Sequence, residues 1–157
     1  MANRIYFANQ QVAFRADGDA SADCWTAAHG VQSVAVTTTF NLEQAFELGQ
    51  LEIYENIEGV PDIEVSVTKV LDGFSPIYLL ATTQSATPTL GGRSTPKSIV
   101  GLGIWSDSAD NIGAGGALEV SHMEASGMFV GSVTYNFPLE DNFTEDVTLV
   151  GNDKVWA

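Results

Sequence analysis

With 157 residues, 45% of them hydrophobic and 17% charged, the chain has the composition of one folded domain rather than a disordered segment. Twenty Asp and Glu against six Lys and Arg give a net charge of −14. That excludes binding to the outside of nucleic acid or to an anionic membrane surface, since both would repel it. No apolar run approaches bilayer length, the first residues lack the apolar stretch of a signal peptide, and Cys24 is the only cysteine. The expectation is a single domain over residues 1–157, folded in a cytoplasm without a disulfide or cysteine-bound zinc.

Period-2 patterns dominate the chain. Strands are expected at 5–8 and 12–15, separated by Asn9-Gln10-Gln11 as a tight turn. A loop of small and acidic residues follows at 17–23. Residues 31–40 are rich in β-branched side chains, with Val34, Val36, Thr38 and Phe40 on one face. The segment 41–48 reads equally as a short helix, with Asn41 as N-cap and Gly49 as stop, or as an extended arm.

Residues 50–57 and 62–71 read as two arms of a hairpin around Glu58-Gly59-Val60-Pro61. Leu51, Ile53 and Ile57 alternate with polar residues in the first arm, and Ile63, Val65 and Val67 in the second. A turn is expected at Asp72-Gly73 and a strand at 76–81. The stretch 82–97 reads as a loop, 98–105 as a strand interrupted by Gly101 and Gly103, and 106–116 as another loop. Strands at 117–124, 128–137 and 146–150 complete the chain, the last continuing to Trp156. Closely spaced strands with no alternating helices predict an all-β antiparallel barrel or sandwich with a long amphipathic hairpin, extended loops and at most one short helix.

No catalytic constellation stands out. His29 and His122 lie far apart, without the spacing of a zinc site; His122 reads as a surface histidine beside Glu124. The glycines around 91 and 101 lack the partners of a phosphate loop or a dinucleotide fingerprint, and 107–113 lacks the terminal glutamate of a calcium loop. With 20 acids a glycosidase-like carboxylate pair can always be drawn, so its presence discriminates nothing. The expectation is no enzyme and no cofactor. A hydrolase using such a pair, or a monomeric β-sandwich binding or decoration module, stands as the alternative to an assembling protein.

The placement of charge is informative. From Arg15 to Lys69 there is no basic residue, while ten acids fall in the interval. Glu52, Glu58, Asp62 and Glu64 fall on the polar side of the expected hairpin. Facing like charges destabilise a sheet. A one-sided acidic face suits a wall past which a polyanion must slide, and copies around a ring would focus that potential. An ordinary solvated strand face is the plain alternative.

Residues 34–51 (VAVTTTFNLEQAFELGQL), 58–73 (EGVPDIEVSVTKVLDG) and 144–154 (TEDVTLVGNDK) resemble the tail tube, or major tail, proteins of tailed bacteriophages. The resemblance implies a β-barrel or sandwich with extended arms, assembling as hexameric rings that stack into a hollow tube. It implies a virion tail as the location, assembly in the host cytoplasm, and contacts with other tail proteins, including a sheath. DNA would pass the lumen without specific binding. Glu52, Glu58, Asp62 and Glu64 would face that lumen; Asp17, Asp19, Arg93, Lys97 and Trp156 would serve subunit or ring contacts. The Gly-Gly-Arg centre of the 82–97 loop matches no pattern of that family.

Overall fold

The computed structural model describes residues 10–16, 25–82, 97–104 and 121–157. The expected strand at 5–8, the loops at 17–23 and 106–116, and most of the 82–97 loop lie outside them. Ten strands and one short helix are described: β1 Gln10–Ala16, β2 Thr26–Ala27, β3 Val31–Thr39, β4 Leu42–Phe46, β5 Ile53–Glu58, β6 Asp62–Val70, α1 Ile77–Thr82, β7 Ser98–Ile104, β8 Ser121–Asn136, β9 Thr144–Gly151 and β10 Val155–Trp156. Every pairing is antiparallel.

The main sheet runs in the order β2-β1-β7-β8-β9-β6-β3, and its ends do not meet, so the fold is an open sandwich rather than a closed barrel. The long strand β8 belongs to both layers. Its first half pairs with β7 and β10, its second half with β9. The change of layer falls where Gly127 takes φ +61°, between bulges at Ser98/Val100 and Val130/Ser132. Strands that switch layers through bends and bulges form the corners of such sandwiches. The sequence reading split this strand at Ala125-Ser126-Gly127, because the glycine there looks like a turn.

Between the layers lie Val12 and Phe14 from β1, Ile63, Val65 and Val67 from β6, and Val100 from β7, with Met123, Ala125 and Met128 from β8 and Val147 and Leu149 from β9. The alternation expected for 62–71 holds: Ile63, Val65 and Val67 are buried while Asp62 and Glu64 are exposed. At about 25 cal/mol per Å² of apolar surface buried, this core is the main driving force for folding.

Two local expectations are corrected. In place of the strand expected at 76–81 stands the helix α1, Ile77–Thr82, packed on the core through Ile77 and Ala81. Its first turn is capped from far away: the buried Glu145 carboxylate accepts hydrogen bonds from the Ile77 and Tyr78 N–H groups at 2.8 and 3.0 Å. That partner lies 67–68 residues off, beyond any local signal.

The hairpin is also longer than expected and turns elsewhere. β3 pairs with β6, and β4 pairs with β5 in near-continuous register, so 31–46 and 53–70 are the two arms. Glu58–Pro61 is not the turn but one side of a kink opposite Phe40 and Asn41. The Gly59 N–H donates to the Asn41 carbonyl at 2.6 Å, and the Asn41 amide donates to the Val60 carbonyl and to Asp62. A Cβ on residue 59 would stand 2.8 Å from the Asn41 oxygen, which explains the glycine. The true tip is Glu47–Gln50, closed by a hydrogen bond from the Gln50 N–H to the Glu47 carbonyl, with Gly49 at φ +92°. Glycine at the third position of such a turn accommodates the positive φ. Of the two readings left open for 41–48, the extended arm is the one adopted.

Candidate assembly surfaces

The second layer of the sandwich is a four-stranded sheet, β3-β6-β9-β8, with the β8 portion at 129–136. One face is the core. The other carries rows set by the register: Thr37, Glu64, Val150 and Phe129; then Ala35, Ser66, Thr148 and Ser132; then Ser33, Thr68, Asp146 and Thr134. Hydroxyls and carboxylates dominate, and the described residues of these rows include no Lys or Arg. Asp146 accepts from Thr68 Oγ1 at 2.6 Å and from Asn136 Nδ2 at 3.1 Å, so this carboxylate is fixed in place.

Of the residues singled out from sequence, Asp62 and Glu64 share this face, Asp62 opposite Thr39 and Glu64 opposite Thr37. Glu58 and Glu52 do not join them there. Glu58 ends β5 opposite Leu42, and Glu52 is exposed between the arm tip and β5. Asp146 is a member the sequence reading missed, because its place on the face follows from the β6–β9 register. Asp17, Asp19 and Arg93 lie outside the described residues. Lys97 is exposed just before β7, and Trp156 is half exposed on β10 opposite Met123.

Among the described residues, Lys69, Arg15 and Lys154 are engaged away from the acidic face. Lys69 is fully buried, and its ammonium donates to the His29 carbonyl at 2.6 Å and to Asp72 at 3.1 Å. That hydrogen bond is the chief reason the Asp72 carboxyl is held below its usual range. Arg15 lies over the Trp25 ring at 4.7 Å, and Lys154 donates to Thr38 Oγ1.

Two further surfaces are apolar. The β4–β5 arm forms its own two-stranded sheet and leaves Phe40, Leu42, Phe46, Leu48, Leu51, Ile57 and Val60 exposed. Where β8 gives way to β9, Tyr135, Phe137 and Phe143 form an exposed aromatic group. Tyr135 stacks on Phe137 at 6.2 Å, and Phe137 meets Phe143 edge-on at 5.0 Å. Tyr135 also donates to Glu145 at 3.1 Å; burial first, then the neighbouring carboxylate, raises its phenol to about 12.

Among the described residues no cluster of three or more His, Cys, Asp or Glu could hold a metal ion, and no helix is long and apolar enough to cross a membrane. His122 sits 4.0 Å from Glu124 on the surface, as expected. Among the described residues the surface thus combines sheet edges without a paired strand, a polar acidic face and apolar projections.

Neither a protein-family profile nor a curated protein sequence matches the chain. Solved structures do share its fold. A chain of the tube-terminating cap of the anti-feeding prophage superposes with a TM-score of 0.66 at 10% identity, covering 100% of this chain and 93% of that one. The SPP1 tail tube gives 0.66 at 8% identity, covering 98% and 78%. A chain from the sheath–tube complex of an extracellular contractile injection system, in its extended state, gives 0.64 at 12%, covering 100% and 93%. The fold is thus that of tail tube and tube-terminator proteins, as the sequence resemblance implied.

Proposed function

We propose that this chain is a structural subunit of a phage-like tail, associating with copies of itself into closed rings, hexameric by the family resemblance, that stack as a hollow tube. One observation carries the reading. The β3-β6-β9-β8 layer ends in two edges, β3 at 31–39 and β8 at 129–136, that pair with no other described strand on their outer sides. A long unpaired edge is an aggregation liability unless the native state covers it. Joining the β3 edge of one copy to the β8 edge of the next removes both edges and yields a continuous inner sheet. Its polar face, with Asp62, Glu64 and Asp146, would then line the lumen. Carboxylates and hydroxyls without cations let a polyanion pass without sticking, so DNA is the cargo this wall suits.

The shared fold with tube and tube-terminator chains supports a place in a virion or injection-machine tail, beside other tail proteins and a sheath. The terminator likeness supports a second reading, in which the chain forms one closing ring rather than the repeated tube.

The test is light scattering of the purified protein over a range of concentration and salt. The proposal expects species larger than a monomer, favoured by added salt because the facing surfaces are acidic. A strict monomer at every condition would defeat it. A ring that never stacks would select the terminator reading.

A further inference from the structure

The other layer of the sandwich carries a cavity on its face away from the core. Val12, Phe14, Val100, Met123 and Ala125 point inward. Alternation then turns Ala13, Gly101 and Glu124 outward as one row, and Gln11, Gly103 and His122 as the next. Ala13, Gly101 and Gly103 offer at most a methyl group, which leaves a trough over β1 and β7. Trp25, just before the edge strand β2, reaches across β1 to close one side of it. A Cβ on residue 101 would stand 2.8 Å from the indole Cη2 and Cζ3 atoms, so only glycine admits the ring there.

The result is a cavity of about 200 Å³, with Trp25 on one side and His122 and Glu124, 4.0 Å apart, on the other. Sites for drug-sized ligands measure about 300–1,000 Å³, so this one takes a single small ring. Its lining includes Glu124 and no Lys or Arg, which disfavours an anion. A purely apolar ligand would strip water from the Gln11 amide, the imidazole and the carboxylate and return no hydrogen bond. A cation is opposed by Arg15, whose guanidinium already lies 4.7 Å over the indole. The register puts Arg15 on one side of the Gly101 row and Gln11, Gly103 and His122 on the other, so the guanidinium takes the indole face turned away from the cavity. A second cation would meet it through the ring.

The ligand these walls fit is small and neutral, with one apolar face and an edge of groups that both donate and accept hydrogen bonds. We propose that the cavity binds a single neutral sugar ring. Its C–H face lies on the open face of the Trp25 indole, apolar surface on aromatic surface. Its hydroxyls donate to the Glu124 carboxylate, which only accepts, and exchange hydrogen bonds with the Gln11 amide, which does both. The cavity is complete within one copy and needs no ring of subunits. On the ring-and-tube reading this face is the outer wall, because the polar face of the other layer lines the lumen. A saccharide on a surface that the tail touches then reaches it.

Saturation-transfer NMR of the full chain tests it, with the methyl pyranosides of glucose, galactose, mannose and N-acetylglucosamine as probes. Each is used at tens of millimolar, because one ring on one indole binds weakly. At least one should bind, with the strongest transfer to the C–H protons of a single sugar face. Trp25→Ala should weaken that binding by about tenfold or more, and Glu124→Gln, of nearly the same shape, by roughly threefold to tenfold. Gly103→Val, which fills the trough from its floor, should abolish binding with Trp25 still in place, so loss of the site is told apart from loss of the fold. Sedimentation of the same samples reads assembly separately: a monomer that binds the sugar supports the site while defeating the ring reading. Transfer to none of the glycosides, or binding that survives both Trp25→Ala and Gly103→Val, overturns the proposal. Trp25-dependent binding of tetramethylammonium with none of the sugars overturns it in favour of a cation site.

Discussion

Replacing Glu145 by alanine tests how the short helix is held. The carboxylate is fully buried, and no ion pair joins it to a cation among the described residues. Lys69 lies directly opposite in the β6–β9 register, but its ammonium is turned to His29 and Asp72. The negative charge is instead met by the two free N–H groups at the start of α1 and by the Tyr135 hydroxyl. Deleting it strands the buried Ile77 amide and the part-buried Tyr78 amide, at about 1–3 kcal/mol for each unsatisfied buried group. Tyr135 is an exposed residue whose bond to Glu145 is only part-buried, so it adds less, and removing a buried charge returns part of the loss. The net cost is about 2–5 kcal/mol, a large share of the roughly 5–15 kcal/mol of a whole domain. With a urea dependence of about 2 kcal/mol per molar, the midpoint should fall by about 1–2.5 M. Glu145→Gln keeps one acceptor oxygen and should lose roughly half as much. A Glu145→Ala midpoint within about 0.3 M of the unmodified protein would refute the claim that this carboxylate anchors α1.

Ultraviolet titration should find Tyr135 ionising late, near the value of about 12 set by burial and by Glu145. The folded value lies above the ordinary one of about 10, so the stabilisation is complete below pH 10 and is lost as pH rises toward 12. Glu145→Gln should bring the transition part of the way back, and an unmoved transition would remove Glu145 from the explanation. Gly30→Ala should cost about 1–3 kcal/mol, since φ is +74° and the new methyl would lie 2.8 Å from an Asp72 oxygen and 2.9 Å from the Val70 carbonyl. Gly49→Ala, at φ +92° but in open space, should cost clearly less in the same denaturation assay. Equal losses at the two sites would show that the close approach at Gly30 does not matter.

The all-β class, the alternation in β6 and the strand cores at 12–15, 31–39, 98–104 and 146–150 were legible because period-2 burial is written locally. The turn was not. Leu48-Gly49 stops a helix as readily as it closes a hairpin, and Gly59-Val60-Pro61 looks like a turn although its glycine is there for a close approach to Asn41. The helix was missed because its cap comes from Glu145, across the sheet. The acidic interval was visible, but which acids share a face depends on register: Asp62 and Glu64 stay together, Glu52 and Glu58 move to the arm, and Asp146 arrives from β9. The aromatic surface around Phe137 is a matter of exposure, which spacing alone does not reveal.

Electron microscopy of the purified protein tests the central claim most directly. Closed rings with a central pore, stacked into tubes as salt is raised, are the expected image, with the β3-β6-β9-β8 layer facing the pore. Particles of monomer size in every field, or rings whose pore is walled by another surface, would contradict it.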